Sequence, residues 1–187
     1  MNIKVGVMGS AGDAPGVSDK EALAEKANAL ALALAERPML LLTGATTGIV
    51  YVVGKAAHEA GILHVGISPA NDSVEHVERY KLPIDACNLI VYTGFGLKGR
   101  NVVLVRSCDI VLFIAGAMGS LNEFTIAHDE GKVIGCLTGT GGVADEVDYL
   151  LKKFSKKTDT RVFQDDDAGK LLDACINELQ TGSKTKK

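Results

Sequence analysis

The chain has 187 residues, 47% of them hydrophobic and 23% charged, with a formal net charge of -3. That length suits one globular domain that needs no disulfide or metal staple, and the charge offers no broad attraction to nucleic acid or to an anionic membrane surface. The four cysteines, Cys87, Cys108, Cys136 and Cys175, are far apart and include no CxxC pair, so they read as buried free thiols of a cytoplasmic protein and not as a disulfide framework or zinc site.

In chain order, Ile3–Met8 reads as a strand with no signal peptide before it. Asp19–Arg37 is rich in Ala and Leu and reads as a helix, with Ser18 as its N-cap and Pro38 as its stop. Its apolar stretch is broken by Glu36, Arg37 and Pro38, too soon for a membrane span. Met39–Leu42 is a short continuous apolar run of the kind buried parallel strands show. Gly48–Ala60 reads as a helix closed by Gly61, Ile62–Ile67 as a strand, and the stretch from Pro69 as a polar loop. Leu89–Tyr92 is the next predicted strand, followed by Thr93-Gly94-Phe95-Gly96, a helix over Arg100–Ser107 and a strand over Ile110–Ile114. A helix over Leu121–Glu130, a strand over Val133–Leu137 and a glycine-rich loop over Thr138–Gly142 follow. Helical segments at Asp145–Phe154 and Ala168–Leu179, with a short strand at Arg161–Phe163 between them, complete the pattern. Asp165-Asp166-Asp167 reads as the acidic cap of the last helix, and Lys184, Lys186 and Lys187 lie in a short basic tail, 181–187, expected to be disordered.

Repeated strand–helix alternation predicts an α/β three-layer sandwich, with a parallel-rich sheet and helices on both faces. Residues 1–180 form a single domain in this reading. In such sheets ligands sit beyond the carboxyl ends of the strands, where strand order reverses. Glycine-rich loops follow the predicted strands there: Gly9-Ser10-Ala11-Gly12, Thr43-Gly44-Ala45-Thr46-Thr47-Gly48 and Ala115-Gly116-Ala117-Met118-Gly119-Ser120. Glycine lets a backbone approach an anion, a helix N-terminus presents free N–H groups, and the hydroxyls of Ser10, Thr46, Thr47 and Ser120 add donors. Gly9, Gly44, Gly94 and Gly116 are therefore expected along one edge of the sheet. None of the loops is a Walker A loop or a GxGxxG fingerprint with an acidic partner. His58, His64, His76 and His128 show no metal spacing and read as core or surface residues. No metal or cofactor is implied.

The segment Gly99–Glu123 resembles the signature of the LOG family, Rossmann-like proteins with the motif PGGxGTxxE and an arginine upstream. Gly116, Gly119 and Glu123 match the motif, Ser120 keeps the hydroxyl of its threonine, and Arg100 falls at the upstream arginine. Asp109 matches the acidic residue before the following strand, and Arg106 reads as its structural partner. Val7-Met8-Gly9-Ser10 and Thr43–Gly48 fall where the family has its first Gly-Ser turn and its YGGG loop, so the resemblance covers Ile3 to Leu137. It implies a nucleotide-binding Rossmann-like domain and a homodimer or larger assembly. It also implies phosphoribohydrolase chemistry: cleavage of the N-glycosidic bond of a nucleoside 5′-monophosphate, with Arg100 and Glu123 as the catalytic pair. Gly9, Ser10, Gly44, Thr46, Thr47, Gly48, Gly116, Ala117, Met118, Gly119 and Ser120 are the phosphate- or nucleotide-binding candidates. Ala115 and Ala117 replace the motif's proline and second glycine, Ala45 interrupts the earlier glycine run, and Asn101 stands where plant-type enzymes have lysine. The run Arg-Asn-Val-Val resembles a bacterial and algal subgroup that includes a molybdenum-cofactor carrier. A non-catalytic carrier or sensor of a nucleotide-like ligand is therefore the alternative reading.

Overall fold

Side chains of successive strand residues point to opposite faces, and in this chain both faces are apolar. The computed structural model describes residues 2–12, 16–17, 19–154 and 156–182. In β5 (Ile110–Ile114), Ile110, Leu112 and Ile114 join one buried cluster while Val111 and Phe113 join another. Such a strand must be covered on both sides, and helices do so. α1 (Lys20–Ala35), α2 (Ile49–Glu59) and α7 (Ala168–Gly182) supply Leu30, Leu34, Val53 and Leu171 to the first cluster. α3 (Gly96–Ser107), α4 (Met118–Asp129), α5 (Gly142–Asp145) and α6 (Val147–Phe154) supply Leu104, Phe124, Ala144 and Val147 to the second.

The remaining strands are β1 (Ile3–Gly9), β2 (Met39–Thr43), β3 (Leu63–Ser68), β4 (Leu89–Tyr92), β6 (Val133–Leu137) and β7 (Arg161–Asp165). They form one 7-stranded sheet in the order β4-β3-β2-β1-β5-β6-β7, and every neighbouring pair is parallel. The predicted α/β sandwich is therefore the observed one. Strand order reverses between β1 and β5, which places the switch point at the loops after Gly9 and Ile114. Gly9, Gly44, Gly94 and Gly116 end or follow parallel strands and share the carboxyl edge.

Local boundaries differ from expectation in instructive ways. α1 is capped by Asp19, whose carboxylate accepts from the Glu21 and Ala22 amides at 3.0 Å; the expected cap, Ser18, lies outside the described residues. α3 and α4 start at Gly96 and Met118, earlier than Arg100 and Leu121. A short π-helical turn, Glu75–Arg79, interrupts the segment read as a polar loop, with the Glu75 amide donating to Asp72 at 2.8 Å. α7 runs through Gly182, past the predicted end at Leu179, and residues 183–187 lie outside the described residues. The acidic cap is observed: the Lys170 amide donates to Asp167 at 2.9 Å. Arg106 is structural but pairs with Glu130 at 2.6 Å, whereas Asp109 pairs with Lys4 at 2.9 Å. All four cysteines are free, and burial pushes the Cys87 thiol up to about 11. No helix among the described residues is long and apolar enough to cross a membrane.

Candidate functional site

At the switch point the strand ends crowd together, and glycine is required there. A Cβ on Gly9 would lie 2.6 Å from the Ile114 carbonyl oxygen. Just beyond, the Ser10 hydroxyl accepts from the Gly116 amide at 3.1 Å, and the Ser10 carbonyl accepts from the Ile49 amide at 3.1 Å. Gly48, with φ of 73°, makes that second contact feasible, because a Cβ there would sit 2.3 Å from the Ser10 oxygen. Ser10 thus ties the loops after β1, β2 and β5 into one rigid rim.

The rim surrounds a cavity of about 310 Å³. Its floor is the end of β1 with Ser10, and its walls come from the β2 loop, the first turns of α3 and the first turns of α4. The N-termini of α2, α3 and α4 all face it. None of these helices has a side-chain cap or an acidic residue in its first turn among the described residues. The first amides of α2 and α3 are satisfied by backbone carbonyls, Ile49 by Ser10 at 3.1 Å and Gly96 by Pro69 at 3.0 Å, and each helix end directs a partial positive charge at the cavity. By contrast, α1, on one face of the sheet, carries its own acidic cap.

Arg100 and Glu123 meet inside. Both are buried, 6% and 7% exposed, and their closest charged atoms are 3.8 Å apart. The guanidinium packs against the β2 loop, where a Cβ on Gly44 would come within 1.8 Å of Nη1. Burial pushes the Glu123 carboxyl up to about 7, while Arg100 and Lys98 pull it the other way. Burial also lowers the Arg100 pKa, against the pull of Glu123. Both partners are shifted toward their neutral forms, so an attraction across 3.8 Å does not offset the loss of water. The Asn101 amide, turned to satisfy its neighbours, donates to the Leu97 carbonyl and to Glu123 Oε1, both at 3.0 Å. Two buried polar atoms have no partner among the described residues: Arg100 Nε and the Ser120 hydroxyl. A buried donor left unpaired costs about 1–3 kcal/mol, and both belong to residues lining this cavity.

Of the residues singled out in the sequence, Gly9, Ser10, Gly44, Thr46, Arg100, Ala117, Gly119, Ser120 and Glu123 line the cavity together. Thr47, Gly48, Gly116 and Met118 do not. The Thr47 hydroxyl donates to the Ala11 carbonyl at 2.6 Å, Gly48 and Gly116 shape the loops from beneath, and the Met118 side chain is 76% exposed. Of the alanines that replace motif residues, Ala117 has an extended backbone with φ of -125°, whereas Ala45 and Ala115 have φ of 48° and 53°. Lys98 and Leu97 also line the cavity and were not anticipated. Their signal was the spacing Lys98, Asn101, three apart on one helix face, visible only once the helix is known to begin at Gly96.

A parallel sheet reversing at β1 and β5, with glycine turns feeding helix N-termini around one polar cavity, defines a Rossmann-type domain with a candidate ligand site at its switch point. The chain belongs to the SLOG cluster4 family, whose sequence model matches residues 2–172, and it is LOG-like, as its motif implied. A protein from Archaeoglobus fulgidus described as uncharacterized is 30% identical over 104 residues, 56% of this chain and 63% of that protein. The match thus spans less than two thirds of the length of that curated relative. Among solved structures, TM1055 is similar with a TM-score of 0.79 and 26% identity, covering 94% of this chain and 99% of that one. The molybdenum cofactor carrier protein from Chlamydomonas reinhardtii is similar in fold, with a TM-score of 0.68 and 21% identity, covering 96% and 99%.

Proposed function

We propose that this chain binds a phosphorylated, nucleotide-like small molecule in the switch-point cavity and hydrolyses the N-glycosidic bond of a nucleoside 5′-monophosphate. The observation that carries the reading is Glu123: a buried carboxyl with a pKa of about 7, 3.8 Å from Arg100, facing a cavity ringed by uncapped helix N-termini. The helix termini and the Ser120 hydroxyl suit a phosphate. Cleavage develops positive charge at C1′, and the ionised Glu123 stabilises it. Water adds to C1′ as the C1′–N bond breaks, and the bonding pair leaves with the base. Glu123 takes a proton from that water and passes it to the departing nitrogen, a relay that a group with a pKa near the working pH performs well. Arg100 orients the ribose and holds Glu123 in place. The products are the free base and ribose 5-phosphate. Release of ribose 5-phosphate from a panel of nucleoside 5′-monophosphates tests the reading; no release from any of them removes it.

A carrier or sensor role is the second reading. It is favoured by the likeness to a molybdenum cofactor carrier along nearly the whole chain and by alanine at 45, 115 and 117. It expects binding without turnover in the same assay.

Either reading puts the phosphate against Gly119. A Cβ there would meet only Lys98 Nζ, at 3.9 Å, so a side chain fits the fold but fills the cavity. Gly119→Leu is expected to weaken nucleotide binding more than tenfold and leave thermal stability within about 1 kcal/mol of wild type. Unchanged affinity in calorimetry would move the site elsewhere. Self-association is part of the proposal. Most apolar residues of α1 pack into the core, but Leu32 on that helix and Leu89 and Val91 on edge strand β4 are exposed. Light scattering at micromolar concentration is expected to give a dimer or larger species; a monomer refutes it.

A further inference from the structure

The cavity holds two cations at two depths, and only one of them has a counter-charge. Arg100 is deep, over Gly44, and faces Glu123. Lys98 is exposed at the mouth, beside Gly119. Its ammonium makes no hydrogen bond or ion pair among the described residues, and it reaches Glu123 only through longer-range electrostatics. Lys98 also sits in the first turn of α3, where the helix dipole disfavours a cation. It adjoins the start of α4, whose N–H groups are uncapped and whose Ser120 hydroxyl is buried without a partner. The mouth therefore gathers a lysine and the positive ends of helices, with the unpartnered Ser120 hydroxyl buried just below the turn and no carboxylate in contact with the lysine. A group carrying negative charge balances that arrangement; an uncharged one leaves the Lys98 charge without a counter-charge.

We propose that Lys98 is the phosphate anchor of this cavity. The ligand lies with its phosphate monoester at the mouth, between Lys98 and the Gly119–Ser120 turn, and with its uncharged sugar inward against Arg100 and Glu123. The inference rests on the proposed function and assigns a role to a residue outside the family motif. Lys98 lies one turn before Asn101 on the same helix face, and both line the cavity. The Lys98 ammonium touches no protein group that its removal would strand.

The test uses the full chain, with ribose 5-phosphate, AMP and inorganic phosphate as probes. Lys98→Gln is expected to raise the dissociation constant of ribose 5-phosphate roughly tenfold or more, as loss of a charge-assisted contact does, and to flatten its dependence on ionic strength. Lys98→Arg keeps affinity within a few-fold of wild type. Phosphorus NMR adds a direct readout. A neighbouring ammonium lowers the second ionisation of the bound phosphate, ordinarily near pH 6, and Lys98→Gln moves it back toward the free-ligand value. If Lys98→Gln binds as wild type does while Gly119→Leu loses binding, the phosphate is at the turn and Lys98 is not its anchor. If the wild type binds none of the probes, the underlying phosphate reading falls and this inference with it.

Discussion

Glu123→Gln is expected to lower turnover of a nucleoside 5′-monophosphate by a factor on the order of 10² or more, with ligand affinity nearly unchanged. The substitution removes charge at constant shape. The substrate carries no positive charge at C1′ until the bond breaks, so the carboxylate acts mainly on the transition state. Losing one preorganised electrostatic partner typically costs about 10²–10³ in rate. Arg100→Ala, in contrast, is expected to weaken binding as well, because it removes a buried donor group from the cavity wall. Steady-state kinetics combined with calorimetric affinities separate the effects. A wild type whose rate survives Glu123→Gln would defeat the catalytic assignment, and a carrier would show both substitutions only in affinity.

The same two proteins report the ionisation of Glu123. Turnover that depends on the carboxylate rises with pH through about 7, the value to which burial lifts this group. Stability moves in the opposite direction. The native state holds the Glu123 proton to about pH 7, whereas the unfolded chain releases it near the ordinary 4.5. Between those values the native state binds more protons, so raising pH costs stability. The advantage of wild type over Glu123→Gln is expected to shrink by roughly 3 kcal/mol from pH 4.5 to 7 and to stay level on either side. Urea titrations of both proteins across that range check it. A constant difference would mean that Glu123 ionises as a solvated side chain does.

The alternation of apolar runs and helical patterns carried the fold, because a buried parallel sheet needs continuous strands such as Ile110–Ile114 and helices between them. The helix starts at the site were harder to read, for a physical reason. Helix α1 announces itself through the Asp19 cap, whereas α3 and α4 begin at Gly96 and Met118 without a side-chain cap. A cap would consume the N–H groups that these helices turn toward the cavity, so the usual start signal is missing where the ends are left free. Gly94, Gly96, Gly116 and Gly119 then read as loop, which hid Lys98 in an apparent linker. Arg100 and Glu123, distant in sequence, were paired only by resemblance to the family motif; alone, each reads as an ordinary helix charge. Proximity in sequence pairs Arg106 with Asp109, whereas the packing of α3 beside the end of α4 brings Glu130 alongside it. The strain at Ala45 and Ala115 was legible only in part, since residue type limits φ without setting it.

Installing the LOG motif's proline by Ala115→Pro is expected to destabilise the protein by about 3 kcal/mol or more. Ala115 is fully buried with φ of 53°, and proline is held near -65°. Its amide also donates to Thr140 Oγ1 at 2.8 Å, while Thr140 donates in turn to the Leu137 carbonyl at 2.6 Å. Proline removes the donor, places its ring where that bond ran, and forces the turn into another shape. Holding a non-glycine residue in the left-handed region costs about 1–3 kcal/mol, yet here alanine tolerates it and proline does not. The Ala144 and Val143 amides donate to the Ala115 and Gly116 carbonyls, each at 3.0 Å, so displacing this turn also loosens α5. The alanine is thus a fit to a turn locked onto the β6 loop through Thr140. Denaturant unfolding measures the loss. Thr140→Val supplies a control: it strands the Ala115 amide, which proline lacks, so the two substitutions are expected to cost about 1 kcal/mol less together than separately. A loss below about 1 kcal/mol for Ala115→Pro would show that the turn adopts the motif's proline conformation freely, and the coupling to Thr140 would then be absent from the cycle.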